Sequence, residues 1–233
     1  MADTYPPPPP PITPGAPPIP PVTEPPLPWE QPGYPFLEAL YETAKLFVTV
    51  PTQAFRRMSI AADLGRPLLY ALLLGWVGVI AGQLYSIALR GVTANLLPFQ
   101  SAEGLAMGTG VSIAVMVLAP VFILLGIFIW SAIVHLFLMM VGGANSGFGA
   151  TVRVMCYATT AQLAQIVPLC GGIVGGVWAI VLEIIGLAQA HRTTTGKAAV
   201  AVLLPIALCC VCVAIVAALF GAAIMAAISQ YGS

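Results

Sequence analysis

Charge is scarce in this sequence. Of its 233 residues, 7% are Asp, Glu, Lys or Arg, against about a quarter in an ordinary soluble domain. Hydrophobic residues make up 59% of the chain. A soluble domain of this composition would expose large apolar patches and aggregate. The composition therefore excludes a soluble globular enzyme and indicates a membrane protein.

Basic runs and catalytic motifs are also missing. Eight Lys and Arg balance eight Asp and Glu, and no basic stripe suits a phosphate backbone, so we expect no nucleic-acid partner. His135 and His191 are too few for a multi-histidine metal site. No zinc-protease, serine-hydrolase or phosphate-loop pattern occurs. We predict no enzymatic activity, no metal and no cofactor.

Proline, in contrast, is abundant: most of the 22 prolines precede residue 36. Proline fixes φ and donates no backbone hydrogen bond, so residues 1–35 are predicted to form a disordered or polyproline tail. Several P-x-x-P spacings suit aromatic-grooved partners. The alternative is a solvated tail that keeps the N-terminus in the cytoplasm.

The next segment has the pattern of an amphipathic helix. Apolar residues from Phe36 to Val48 follow helical spacing, and about 13 residues are too few to span a bilayer. Pro51 begins a second short piece that carries Arg56 and Arg57. We predict an interfacial helix near anionic headgroups; the alternative is a helix packed on the protein's own cytoplasmic face.

Five transmembrane helices are predicted to follow, so that residues 36–233 form one all-α, polytopic membrane domain. Turn residues at 142–147 and around Pro168 divide the long uncharged stretches. The predicted spans cover about residues 67–89, 108–141, 148–167, 170–189 and 199–228.

The few basic residues predict the orientation. With the N-terminus inside, the cytoplasmic flanks hold Lys45, Arg56, Arg57, Arg66, Arg153, Arg192 and Lys197. The outer flanks hold Arg90. By the positive-inside rule we expect a cytoplasmic N-terminus and an external C-terminus.

Polar residues inside the predicted spans form the candidate site. His135, Arg153 and Glu183 each lie roughly 8–9 Å below the same surface, at 1.5 Å per residue. We predict a buried Arg153–Glu183 pair with His135 and Tyr157 as hydrogen-bonding neighbours. Intramembrane charges mark either a proton or ligand site or a structural clamp between helices.

Two overlapping G-x-x-x-G spacings open the fourth predicted span. Gly171 pairs with Gly175, and Gly172 with Gly176. Small residues at this spacing let helix backbones approach closely. The contact is predicted to lie within the monomer, or alternatively between copies in a homo-oligomer.

Several motifs follow in a fixed order over about 200 residues. They are Pro51 to Met58, Leu64 to Leu68, Ala132 to Leu136 with Gly142-Gly143, Phe148 to Val154 with Tyr157-Ala158, Trp178 to Gly186, and His191 to Ala198. This order resembles the Yip family, named for interaction with Ypt/Rab GTPases.

The resemblance implies a five-span α-helical membrane protein with a cytoplasmic N-terminus. Eukaryotic members bind small GTPases in Golgi and endoplasmic-reticulum traffic, so a small GTPase is the partner that the family implies. The Asp-Leu-Tyr-Gly-Pro signature of those members is absent here. The chain is therefore similar to the prokaryotic branch, which implies a bacterial inner membrane.

Two functions follow from these patterns. The first is a non-enzymatic, membrane-organising scaffold that contacts the lipid bilayer and offers a cytoplasmic surface to a protein partner. The alternative is a small transporter or channel that uses the intramembrane polar layer. Loss of flux on Glu183→Gln would favour transport.

Overall fold

The computed structural model describes residues 25–60, 63–96 and 102–231, and all the regular structure in these ranges is helical. A short 3₁₀ turn, Pro28–Glu30, comes first. The α-helices are α1 (Phe36–Thr49), α2 (Pro51–Arg57), α3 (Gly65–Leu96), α4 (Ala102–Met140), α5 (Gly147–Ala158), α6 (Gly171–Ala190) and α7 (Thr195–Tyr231). A 3₁₀ segment, Thr159–Ile166, continues α5.

Within the described residues, four helices are long and apolar enough to cross a membrane. They are Gly65–Val92, Ala106–Met140, Gly171–Ala190 and Thr195–Gly221. They correspond to the first, second, fourth and fifth predicted spans, and they confirm an all-helical, multi-pass protein.

The third predicted span has a different form. It consists of the 12 residues of α5 and the 8 residues of the 3₁₀ segment. At 1.5 Å and 2.0 Å per residue these add up to roughly 34 Å, about the thickness of the hydrocarbon core. The count of five crossings stays a prediction.

The long helices run between two ends of the bundle. At one end α3, α5 and α7 begin, α4 and α6 finish, and α1, α2 and the turn Pro28–Glu30 pack against them. We call this the capped end and the other the open end.

The core lies at the capped end and is largely aromatic. The ring of Phe47 stacks on Tyr157 at 5.1 Å between centroids and meets Phe55 edge-on at 4.8 Å. Tyr70 lies 5.1 Å from Tyr157. All four side chains are almost completely buried. This cluster joins α1 and α2 to α3 and α5.

Helix α5 occupies the centre of the bundle, against α3, α4 and α6. Every residue from Ala150 to Ala158 is buried. Its α-helical geometry ends where two threonines bond back to the chain: Thr159 Oγ1 donates to the Cys156 carbonyl at 2.6 Å, and Thr160 Oγ1 to the Tyr157 carbonyl at 2.7 Å. Such back-bonding competes with the regular α-helical ladder.

The two predicted glycine pairs have different surroundings. Gly171 and Gly175 are buried against the 3₁₀ segment, where a Cβ on Gly175 would lie 2.8 Å from the Ala161 carbonyl oxygen. Gly172 and Gly176 are exposed, and a Cβ on either would meet nothing within 4 Å. The first pair permits close backbone approach inside the monomer; the second pair does not contribute to it.

Pro120 interrupts the hydrogen-bond ladder of α4. Because proline has no N–H, the carbonyl of Met116, four residues earlier, loses its usual helical donor. Trp76 Nε1 on α3 donates to that carbonyl at 2.9 Å. In a membrane, where a free carbonyl costs several kcal/mol, this bond ties α3 to α4.

Towards the open end, the surface of α7 is no longer covered by its neighbours. Every residue of α7 from 207 to 221 is exposed, including Val213, Leu219 and Phe220. Cys209, Cys210 and Cys212 lie in this stretch as free, exposed thiols. Such a continuous apolar surface suits contact with lipid tails.

Candidate functional site

The predicted polar layer divides into separate groups in the structure. Arg153 and Tyr157 contact Glu30, His135 contacts Thr151, and Glu183 contacts Trp130. The predicted Arg153–Glu183 pair is therefore wrong. The physical reason is that Glu30, which lies in the proline-rich segment predicted to be a tail, is the carboxylate beside the buried guanidinium.

Glu30 is the centre of the first group. Its Oε1 lies 3.7 Å from Arg153 Nη1 and accepts a hydrogen bond of 2.7 Å from the Tyr157 hydroxyl. Its Oε2 accepts from the Ser59 backbone N–H at 2.9 Å. Arg153 Nη2 donates to the Asp63 carbonyl at 2.6 Å. With the Arg153 side chain 1% exposed, this is a buried ion pair.

The segment that carries Glu30 is packed into the capped end. The indole of Trp29 is buried, its Nε1 donates to the Arg66 carbonyl at 2.7 Å, and its backbone N–H donates to Thr43 Oγ1 at 3.0 Å. Arg66 Nη1 donates back to the carbonyls of Trp29 and Gln31. We call residues 25–31 the strap.

The strap corrects the predicted boundary of the tail. Residues 25–31 were assigned to a disordered tail ending at residue 35, but Leu27, Pro28 and Trp29 are buried. Arg57 holds the start of the strap through hydrogen bonds to the carbonyls of Pro25 and Pro26. Residues 1–24 of the predicted tail lie outside the described residues.

The second group joins the two histidines through a threonine. His135 Nδ1 lies 2.8 Å from Thr151 Oγ1, which lies 2.9 Å from His191 Nε2. The Ser146 backbone N–H donates to His191 Nδ1 at 3.1 Å. Since Nδ1 accepts, neutral His191 carries its proton on Nε2 and donates to Thr151, whose hydroxyl then donates to His135.

This arrangement disfavours a charged His191. Protonation at Nδ1 would place the imidazole N–H against the backbone N–H of Ser146. In addition, the imidazole is fully buried, which disfavours a charge. Burial, with the nearby His135 as a second cause, lowers the pKa of His191 to about 4. His191 therefore stays neutral near pH 7. Its bonds to Asn145 and Ser146 join the 142–146 loop to the end of α6 as a clamp.

Glu183 lies in the membrane region, at the wall of a cavity. Trp130 Nε1 donates to both carboxylate oxygens at 3.1 Å. The cavity has a volume of about 270 Å³ between α3, α4, α6 and the end of α5. Thr159 and Gln162 add polar groups to a lining that is otherwise mostly apolar. Of the predicted site residues, Glu183 is the one that lines this cavity.

Sequence reasoning missed the partners of these groups: Trp29, Glu30, Trp130, Thr151 and His191. One signal was available, because Trp29 is the only tryptophan outside the predicted spans and stands beside an acid in the proline-rich stretch. No comparable signal marks Thr151. In the part of the chain that the structure describes, no three His, Cys, Asp or Glu side chains cluster as metal ligands would.

Comparison with known proteins identifies the family. The Yip1 domain model matches residues 45–217, well over half of the chain. No curated protein and no solved structure matches. The chain therefore belongs to the Yip family, as its motifs predicted, and with its apolar helices it is a multi-pass integral membrane protein.

Proposed function

We propose that this Yip-family protein is a non-enzymatic scaffold that organises the membrane and offers a protein-binding surface at its capped end. The observation that carries the proposal is the structure of that end. Its buried ion pair and its histidine group each have partners inside the protein, as in a rigid platform, while apolar side chains of α1 are exposed on its outer surface.

Helix α1 supplies that outer surface. Its inner face, with Thr43 and Phe47, is buried against the core. Its outer face leaves Leu37 75% exposed and Tyr41 64% exposed. A helix with this division suits insertion into the headgroup region of the bilayer, next to a partner held at the same surface. The two alternatives for the amphipathic helix, contact with lipid and contact with its own protein, thus apply to different faces of α1.

The basic residues favour a cytoplasmic position for the capped end. Seven of the eight lie at that end: Lys45, Arg56, Arg57, Arg66, Arg153, Arg192 and Lys197. Arg90 lies near the open end of α3. We count α5 with its 3₁₀ segment as a fifth crossing, so the N-terminus is inside, the C-terminus is outside, and a bacterial inner membrane is the proposed location.

The strap fixes the point at which the tail, residues 1–24, joins the capped end. Because residues 25–31 are bound at the capped end, residues 1–24 start from the same surface as the exposed face of α1. A partner that recognises P-x-x-P segments would meet both elements together. A small GTPase is the candidate that the family implies.

Topology is tested first. A periplasmic alkaline phosphatase reporter fused after Ser233 is expected to be active, and one fused before Met1 inactive. An inactive C-terminal fusion in a protein that inserts normally would contradict the fifth crossing and the proposed orientation.

Partner binding is tested by photo-crosslinking in native membranes. A crosslinking residue at Leu37 is expected to give a discrete protein adduct that is lost when residues 1–24 are deleted. The matched position is Val213, which is exposed at the open end of α7 and should react with lipid alone. Deletion must stop at residue 24, because removing Trp29 and Glu30 would disrupt the capped end itself. Equal protein adducts at both positions would contradict the proposal.

Transport is the second candidate function, favoured by the polar wall of the Glu183 cavity. It predicts solute flux in proteoliposomes that is lost in Glu183→Gln at unchanged thermal stability. A purely structural role predicts the reverse: no flux, and a lower melting temperature for the variant.

A further inference from the structure

A long apolar groove runs between α3 and α4 on the outside of the bundle. It is lined by Val79, Val111, Ala114, Val115, Leu118, Ala119, Phe122 and Ile123, and it has a volume of about 460 Å³. Leu118 and Phe122 are 50% and 64% exposed at its edge. Its walls offer almost no polar surface, which suits an acyl chain.

The groove borders the Glu183 cavity. Val79, Phe122 and Ile123 line both spaces. The groove lies on the open-end side of the cavity, since α4 begins at that end. An apolar groove and a cavity with polar groups are therefore adjacent and share a wall.

The Glu183 cavity is rich in acceptors. Trp130 donates to Glu183, but among the described residues no basic side chain lies within 4.0 Å of that carboxylate. Thr159 directs its hydroxyl proton to the Cys156 carbonyl, which leaves its oxygen free to accept. The Gln162 amide oxygen accepts a hydrogen bond from Gln165 Nε2 and keeps a second lone pair for a further donor. A buried carboxylate without a cation is costly, so a positively charged donor is the complement of this cavity.

We propose that the groove and cavity bind a single-chain amphiphile with a primary amine headgroup. Its ammonium group sits against Glu183, with Thr159 and Gln162 as further acceptors, and its alkyl chain lies in the α3–α4 groove. A primary ammonium has three N–H donors, which matches the three acceptor side chains.

The test uses the full-length protein in lipid nanodiscs and three photoreactive dodecyl probes that differ in headgroup: amine, alcohol and carboxylate. Labelled peptides are located by mass spectrometry. We expect saturable labelling of residues 111–123 by the amine probe, at least about tenfold weaker labelling by the alcohol, because a charge-assisted bond is lost, and none by the carboxylate.

Variants separate the two parts of the site. Glu183→Gln should weaken amine labelling about tenfold and leave alcohol labelling unchanged. Ala114→Trp fills the groove and should abolish labelling by both probes. The matched control is Val117→Trp, at a 69% exposed position of α4 outside the lining, and it should have no effect. Ala114→Trp also keeps the test informative if Glu183→Gln lowers stability.

Three results would overturn the proposal. Labelling that does not saturate, or that Val117→Trp reduces as much as Ala114→Trp, would show general contact with lipid. Equal labelling by the amine and the carboxylate would show that Glu183 does not select the headgroup. None of these results bears on the partner surface at the capped end, which the Leu37 crosslink tests separately.

Discussion

The two ends of this molecule are built on different principles. At the capped end, Arg153 is 1% exposed and paired, and the rings of four aromatic residues are in contact. At the open end, Phe220 is 68% exposed, in a stretch of α7 whose residues 207–221 are all exposed. Since lipid tails are as apolar as leucine, membrane helices gain little by hiding apolar side chains from them. The specific contacts that define the fold are therefore concentrated at the capped end.

The sharpest test of this difference is Arg153→Met. It removes one partner of a buried ion pair and leaves Glu30 without its cation, which costs about 3–5 kcal/mol. We expect a large fall in the melting temperature of the detergent-solubilised protein. The control Arg56→Met changes an exposed arginine at the same end, with one hydrogen bond of 3.4 Å to Gln189, and should have little effect. Equal melting temperatures for the two variants would contradict the claim that the buried ion pair stabilises the capped end.

Close packing is tested by Gly175→Leu against Gly176→Leu. The first places a side chain against the Ala161 carbonyl and forces α6 away from the 3₁₀ segment, at a cost of about 1–3 kcal/mol or more. The second adds the same side chain to an exposed position. The melting temperature should be clearly lower for Gly175→Leu than for Gly176→Leu. A loss of self-association in Gly176→Leu alone would instead indicate that the exposed pair forms a homo-oligomer contact.

Acid should weaken the capped end through His191. Its folded-state pKa of about 4 lies below the ordinary value of 6.5, so between these values the unfolded chain binds a proton that the folded chain does not. The stabilisation is complete above pH 6.5 and decreases as the pH falls, by about 2 kcal/mol at pH 5. The melting temperature should fall between pH 7 and 5, with a smaller slope in His191→Gln. An unchanged slope would show that other groups cause the acid sensitivity.

The smallest effect is expected at the open end. Leu219→Ala in α7 removes a side chain that is 66% exposed, so no cavity forms in the protein. The unfolding free energy in detergent should change by less than about 0.5 kcal/mol. Leu182→Ala is the comparison, because Leu182 is fully buried and its loss should cost about 2–5 kcal/mol. A large effect of Leu219→Ala would reveal packing that the monomer does not contain.

Hydropathy and charge were sufficient to predict the four apolar membrane helices, and the order of the motifs predicted the family. Length and uncharged composition specify such helices directly, because the bilayer imposes both. The same reasoning failed for Glu30, since a carboxylate in a proline-rich stretch has the composition of a solvated tail. Its partners, Arg153 and Tyr157, follow more than 120 positions later, and no local pattern encodes that contact.

The structure of the third predicted span, a short α-helix followed by a 3₁₀ segment, could not be predicted from hydropathy either. A buried helix surrounded by protein does not need the apolar surface that lipid demands, so Thr151 and Arg153 are accommodated by internal partners. Hydropathy alone also could not separate Gly175 from Gly176, because the two differ in which face of α6 they occupy. Both failures have the same cause: the partner of each residue lies on another helix.

The strap also constrains the order of assembly during synthesis. Glu30 is synthesised before Tyr157, which donates to it and follows 127 residues later. Trp29 needs Arg66 for its indole bond, so its site is available earlier than that of Glu30. The strap is thus bound in two stages, first through Trp29 and then through Glu30 once α5 is in place.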